Sequence, residues 1–293
     1  MSKKEAHKMS CMEVWGGNRE ADIGVNMLGL DTWVYCRPHG GAVDGGGDVH
    51  YMSSCASGSI TRVLLADVSG HGHEVSHLAE GLRGIMQNHV NRIDQRAVLM
   101  KVNDQFRDVS TQERFATAVM LTYFAPTASL TISNAGHPPP LLYRQSDKTW
   151  RVFDAGQPKR GEGYEDMPLG ILEDVNYNQS QTRLDSGDRL LCYSDALIEA
   201  RLPDGKLLGV NGLLNITQSI PLGPPSEMLT ALRERLQQKA NLEGDDVTAI
   251  LIQRDAQPAR VPVGRVVTAP ARILWTKLKN RKSTSPGSHE ATS

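Results

Sequence analysis

Long apolar runs are missing from this chain, and that absence excludes the most. No stretch approaches the roughly 18 consecutive apolar residues that a membrane-spanning helix needs. The basic opening Met-Ser-Lys-Lys-Glu-Ala-His-Lys has no apolar segment behind it, so it does not read as a secretory signal. Paired cysteines are missing too. Cys11, Cys36, Cys55 and Cys192 are scattered without a Cys-x-x-Cys, which fits reduced, structural thiols rather than a disulfide framework. Neither sign of charge is in excess. With 32 Lys and Arg against 33 Asp and Glu, the formal net charge is −1, which removes any global electrostatic case for nucleic acid or an anionic membrane. No internal repeat is visible. The reading is a soluble, cytoplasmic protein.

What is present is enough chain for a sizeable core. The 293 residues suit one large domain or two small ones, and an apolar fraction of 39% leaves part of the chain outside the core. Residues 1–29 are mixed, without a sustained period, and are set apart as an N-terminal segment. Beyond Arg254 the pattern stops. Residues 255–293 are rich in Pro, Arg, Lys, Ser and Thr, as expected of a disordered basic tail. Within it, Ala271 to Lys279 has the pattern of a short basic amphipathic turn suited to a membrane surface or a partner.

Between these limits the patterning alternates. Strands are expected at Thr32–Cys36, Val49–Ser54, Val63–Ala66, Phe115–Phe124, Ser129–Ser133, Leu141–Arg144, Asn176–Leu184, Arg189–Ser194 and Val247–Ile252. Apolar residues at Val75, Leu78, Leu82, Ile85, Met86 and Val90 predict an amphipathic helix over 74–90. A second is predicted over 95–109 with Asp94 as N-cap, and a third over 225–240. Residues 154–168 read as loop.

The chain is organised around Val63-Leu64-Leu65-Ala66-Asp67-Val68-Ser69-Gly70-His71-Gly72, where a buried strand delivers Asp67 to a glycine turn. A carboxylate mounted this way is either a metal ligand or catalytic acid held by a rigid strand, or a solvated cap of the following helix. The same context recurs at Asp48 after Gly45-Gly46-Gly47, at Asp195 after Leu190 to Ser194, and at Asp245-Asp246 before the last strand. Several Asp residues with few His or Cys nearby suit hard divalent cations such as Mg²⁺ and Mn²⁺. Without a cation, carboxylates brought together repel and resist ionisation.

These residues carry a resemblance. The chain resembles the metal-dependent serine/threonine protein phosphatases of type 2C, in the bacterial branch of the stage II sporulation phosphatase and the sigma-regulatory phosphatases. The matching pieces run in the family's order: Gly46-Gly47-Asp48, Leu65 to Gly72, Ser133 to Pro138, Pro168-Leu169-Gly170, Tyr193 to Ala200, and Asp245-Asp246-Val247-Thr248. They cover about residues 30–254. The resemblance implies an α+β fold, a four-layer α-β-β-α sandwich with two mostly antiparallel sheets and a metal site at one end. It implies two Mn²⁺ or Mg²⁺ ions. Asp67 would bridge them, Asp48 and the Val68 carbonyl would hold one, and Asp195 with Asp245 or its neighbour Asp246 the other. It further implies attack of metal-activated water on phosphoserine or phosphothreonine of an anti-anti-sigma-like regulatory protein, with Asp48, Asp67 and Asp195 as catalytic acids. Assembly as a homodimer is left open.

Two departures stand out. Val49-His50-Tyr51 replaces a second acidic position, which makes His50 a candidate substitute contact. Ala196 replaces a glycine beside Asp195, where a Cβ restricts the backbone. They motivate a rival reading, a phosphatase-like scaffold that binds without turnover. A third reading is a zinc peptidase, because His73-Glu74-Val75-Ser76-His77 matches HExxH. Its metzincin extension fails, with Glu80 where glycine is needed. Asn134 and His137 lie in a turn that either approaches the site or is structural. Ser69 and His71 lack triad geometry, and the glycine loop at 40–47 lacks the Lys-Ser/Thr of a phosphate-binding loop.

Overall fold

Alternation along Ile60–Val68 sets up the layers: Val63 and Leu65 face one core, while Leu64, Ala66 and Val68 face another. The structure is a computed structural model that describes residues 6–56, 58–70, 72–89, 92–110, 114–153, 164–242 and 244–255. Its first strands are β1 (His7–Lys8), β2 (Val14–Gly17), β3 (Ala21–Met27), β4 (Leu30–Arg37), β5 (Asp48–Cys55) and β6 (Ile60–Val68). Helices α1 (His73–Asn88) and α2 (Gln95–Val109) follow. Next come β7 (Ala116–Phe124), β8 (Ser129–Ala135), β9 (Leu141–Arg144), β10 (Thr149–Val152), β11 (Ser180–Arg183) and β12 (Arg189–Tyr193). The chain continues through α3 (Ala196–Glu199), α4 (Gly209–Gln218) and α5 (Pro225–Lys239) to β13 (Val247–Arg254).

Among the described residues the strands form two sheets. One has the order β1-β3-β4-β13-β12-β9-β10 and the other β11-β8-β7-β6-β5-β2. The β1–β3 pair is parallel and the other strand pairs are antiparallel. Val34, Ile250, Ile252 and Cys192 from the first sheet meet Met52, Val63, Leu65 and Val119 from the second, which makes the central apolar layer. On the outer face of the second sheet, Val75, Ala79, Leu82 and Met86 of α1 and Val98, Leu99, Val102 and Phe106 of α2 cover Tyr51, Leu64, Ala66 and Met120. On the outer face of the first, Leu213 and Ile216 of α4 and Met228, Leu229, Leu232 and Leu236 of α5 cover Leu191, Ala249 and Leu251. Each fully buried side chain of this kind contributes about 1.5–3 kcal/mol. The result is the α-β-β-α sandwich.

Helix α2 has the expected bounds, and the Asp94 side chain caps it by accepting the Ala97 N–H. Elsewhere the structure differs from the sequence reading. The segment 1–29 is not separate from the sheets, because residues 7–27 supply β1, β2 and β3. Periodicity hides β2, whose Gly16-Gly17 end has no side chains to alternate. Gly16 is needed there, since it has φ +126° and a Cβ on it would lie 2.2 Å from the His50 carbonyl oxygen. The strand expected over 176–184 is confined to Ser180–Arg183, because Asp166 takes the Asn178 N–H out of strand pairing at 2.7 Å. Residues 256–293, including the amphipathic turn at 271–279, and residues 154–163 lie outside the described part. No helix of the described residues is long and apolar enough to cross a membrane.

Candidate metal centre

Strand pairing brings the acids together from both sheets. Asp48 and Asp67 are direct cross-strand partners in the β5–β6 ladder, and Thr117 faces Asp67 from β7. In the other sheet β12 and β13 pair antiparallel, so the segment leaving Tyr193 and the segment entering Val247 share an end. The Ser194 backbone N–H donates to Thr248 O at 2.9 Å, and Thr248 N–H returns a bond to Ser194 Oγ at 2.9 Å. This clasp fixes Asp195 beside Asp245 and Asp246.

The electrostatics report the convergence. Burial pushes the Asp67 carboxyl up to about 7, reinforced by the charges of Asp195, Asp245, Asp246 and Glu199. Asp195 is pushed up to about 6 by burial, then by Asp245 and Glu199, while the Ala196 N–H opposes the shift. Asp48 is only 1% exposed, and its Oδ2 has no hydrogen-bond partner. Its carboxyl is held well above the ordinary range by burial and by Asp67, with the Thr248 and Ser194 hydroxyls opposing. A buried carboxylate oxygen left unpaired is costly, and an all-oxygen donor set of mutually repelling acids suits a hard divalent cation. In the arrangement observed, no three His, Cys, Asp or Glu side chains among the described residues are close enough to hold one ion. The residues fit such a cation by donor chemistry and charge.

Asp245 and Asp246, taken together in the sequence reading, behave differently. Asp245 is exposed and accepts the Asp246 N–H at 2.8 Å. Asp246 is buried. Its Oδ1 accepts the His39 N–H at 2.6 Å, and its Oδ2 accepts the Gly47 N–H at 2.5 Å and the Asp48 N–H at 3.4 Å. Its carboxylate therefore anchors the glycine loop that carries Asp48. A Cβ on Gly46 would sit 2.3 Å from Asp246 Oδ1, and one on Gly47 would sit 2.8 Å from the Val68 carbonyl oxygen. The glycines are needed because backbone must pass against the carboxylate and against Val68.

Sequence reasoning missed Asn18, Ser76 and Glu199. Asn18 is buried, and its Nδ2 donates to Gly46 O at 2.9 Å, Ser76 O at 3.1 Å and Ser76 Oγ at 3.0 Å. Ser76 Oγ donates in turn to Asp44 O at 2.7 Å, so α1 and the glycine loop share one polar tie. No local pattern signals Asn18, because its partners are 28 and 58 residues away. Glu199 was findable. It lies four residues after Asp195, one helical turn on.

The two departures come out differently. Asp195 has φ −60° and Ala196 opens α3 without a positive φ, so the missing glycine leaves no strain. His50 is buried against Trp15, with ring centroids 5.3 Å apart. Burial and the Arg83 charge push its imidazole down to about 4, and none of the acids acts on it. Its Nδ1 is buried without a hydrogen-bond partner. The Asn134–His137 turn is structural: Asn134 Oδ1 accepts the His137 N–H at 2.7 Å and its Nδ2 donates to His137 O at 2.8 Å. His137 Nδ1 nevertheless meets Thr117 Oγ1 at 2.9 Å, one residue across from Asp67. Ser69 Oγ accepts the Phe115 N–H at 3.1 Å; His71 lies outside the described residues. In the HExxH match, Glu74 pairs with Arg114 at 3.5 Å instead of standing ready as a base.

Comparison with known proteins agrees with this architecture. The chain is 24% identical over 195 residues to the phosphoserine phosphatase RsbU of Bacillus subtilis (strain 168), a match covering 66% of this chain and 55% of that protein. The chain thus spans about half the length of that relative. The structure of the RsbU and RsbW domains of Rv1364c from Mycobacterium tuberculosis superposes with a TM-score of 0.66 at 23% identity, covering 88% of this chain and 72% of that one. The PP2C phosphatase domain of SpoIIE from Bacillus subtilis, solved with a fragment of its regulatory domain, gives 0.63 at 17% identity, covering 77% and 62%. These likenesses show the fold. The sequence pattern of the stage II sporulation protein E family matches residues 57–255, and the chain belongs to that family.

Proposed function

We propose that this protein is a metal-dependent protein serine/threonine phosphatase that removes phosphate from phosphoserine or phosphothreonine on an anti-anti-sigma-like regulatory protein. The observation that carries the reading is the cross-strand pairing of Asp67 with a buried Asp48 whose Oδ2 has no hydrogen-bond partner, under the charges of Asp195, Asp245, Asp246 and Glu199. The name of the relative RsbU, a phosphoserine phosphatase, supports the substrate class. Asp48, Asp67, the Val68 carbonyl, Asp195 and Asp245 are the groups that would hold two Mn²⁺ or Mg²⁺ ions. Bound there, such ions supply Lewis-acid charge to phosphoryl oxygens and lower the pKa of a water nucleophile.

The chain's own residues supply placement. The β5–β6 ladder fixes Asp48 against Asp67, and the Ser194–Thr248 clasp fixes Asp195. Asp246 serves as a positioning residue, since its oxygens are taken up by the backbone of His39, Gly47 and Asp48. Glu199 adds negative charge beside Asp67 and Asp195, which strengthens the hold on cations.

The test is phosphate release from a phosphoserine peptide and from p-nitrophenyl phosphate in EDTA, Mg²⁺, Mn²⁺ or Zn²⁺. Turnover with Mn²⁺ or Mg²⁺ is expected, abolished by Asp67→Ala and retained by Glu74→Gln. Turnover that survives Asp67→Ala, or none with any metal, would refute the reading.

A further inference from the structure

The HExxH match leaves one feature that the aspartate centre does not use. His73 and His77 are both exposed, one turn apart at the start of α1. Their Nε2 atoms approach to 3.2 Å, with ring centroids 4.3 Å apart and ring planes crossing at 81°. At i and i+4 they share one helix face.

The spacing has a chemical meaning. Around a tetrahedral centre with metal–nitrogen bonds of about 2.0–2.1 Å, neighbouring nitrogens stand about 3.3 Å apart. The observed Nε2–Nε2 separation of 3.2 Å is close to that bite, and both residues are exposed. Imidazole suits Zn²⁺, Ni²⁺ and Cu²⁺, whereas Mg²⁺ prefers oxygen. Glu74 is directed to Arg114 at 3.5 Å, and the described residues offer no third side chain to complete a cluster.

We propose that His73 and His77 form a two-imidazole site for a borderline divalent transition metal, distinct from the oxygen-donor centre, with its remaining positions filled by water or by a donor from another molecule. The folded helix is what presents the two nitrogens together, so a bound ion stabilises the folded chain by linkage. It also fastens a turn already tied to the glycine loop through Ser76, Asn18 and Asp44. Unlike a peptidase zinc, this ion has no base beside it and takes no part in hydrolysis.

The experiment titrates Ni²⁺ into the full chain in saturating Mg²⁺, by calorimetry and by thermal melting. Each is repeated with His73→Ala, His77→Gln and Asp67→Ala. One Ni²⁺ per chain is expected, raising the melting temperature, with affinity falling at least tenfold in either histidine variant and persisting in Asp67→Ala. Melting of the histidine variants in EDTA should match the parent, because both side chains are exposed. Equal Ni²⁺ affinity in the parent and both histidine variants would overturn the proposal. So would binding abolished by Asp67→Ala and untouched by the histidine variants.

Discussion

Replacing Asp67 by Asn should stabilise the chelator-treated protein while abolishing turnover, and the size of the gain follows from the site. Burial and the neighbouring acids push the Asp67 carboxyl up to about 7 in the folded chain, against about 3.9 for an unperturbed Asp. Between those values the folded state binds more protons than the unfolded one, so stability falls as pH rises. The penalty is absent below the unfolded pKa and fully present above the folded one. At about 1.4 kcal/mol per tenfold change in proton affinity this gives on the order of 4 kcal/mol at pH 8, and roughly a third of that at pH 5. Asn has the same shape and cannot ionise, so the variant escapes the penalty. It also removes the repulsion between Asp67 and Asp195. The assay is urea unfolding in EDTA at pH 5, 6, 7 and 8, followed by circular dichroism. Asp67→Asn should exceed the parent by at least about 2 kcal/mol at pH 8, with the gap closing toward pH 5. A gap independent of pH, or a variant less stable at pH 8, would refute the account of Asp67 as a crowded, buried acid.

Other substitutions separate placement from packing. Gly46→Ala drives a Cβ to 2.3 Å from Asp246 Oδ1; overpacking of about 1–3 kcal/mol is expected, with metal-stimulated phosphate release down at least tenfold, as steady-state assays would show. Asp188→Ala removes a 1% exposed carboxylate that pairs with Arg144 at 2.7 Å and accepts the Gln145 and Asp185 N–H groups. It should cost about 3–5 kcal/mol in urea unfolding and leave turnover per folded molecule unchanged. Leu82→Ala, at a fully buried position of α1 over the second sheet, should cost about 2–5 kcal/mol, read from the denaturation midpoint.

Sequence patterning determined a good deal by itself. The period of Val98, Leu99, Val102 and Phe106, with Asp94 before it, is local information, and α2 has the bounds it gives. Asp48, Asp67, Asp195 and the Asp245-Asp246 pair were singled out by their places at strand ends or turns and by the family resemblance, and strand pairing sets Asp48 directly across from Asp67. What only the tertiary structure decided depends on contacts between distant residues. The pattern could not tell Asp245 from Asp246; in the fold the backbone N–H groups of His39 and Gly47 bond to the two Asp246 oxygens, while Asp245 is exposed. Nor could it place β2, whose pairing with β5 is set by a close backbone approach at Gly16 that carries no hydrophobic period. Asn18 is the clearest case. A lone asparagine in a polar stretch acquires its role only when burial removes water and leaves Gly46 and Ser76 as its hydrogen-bond partners.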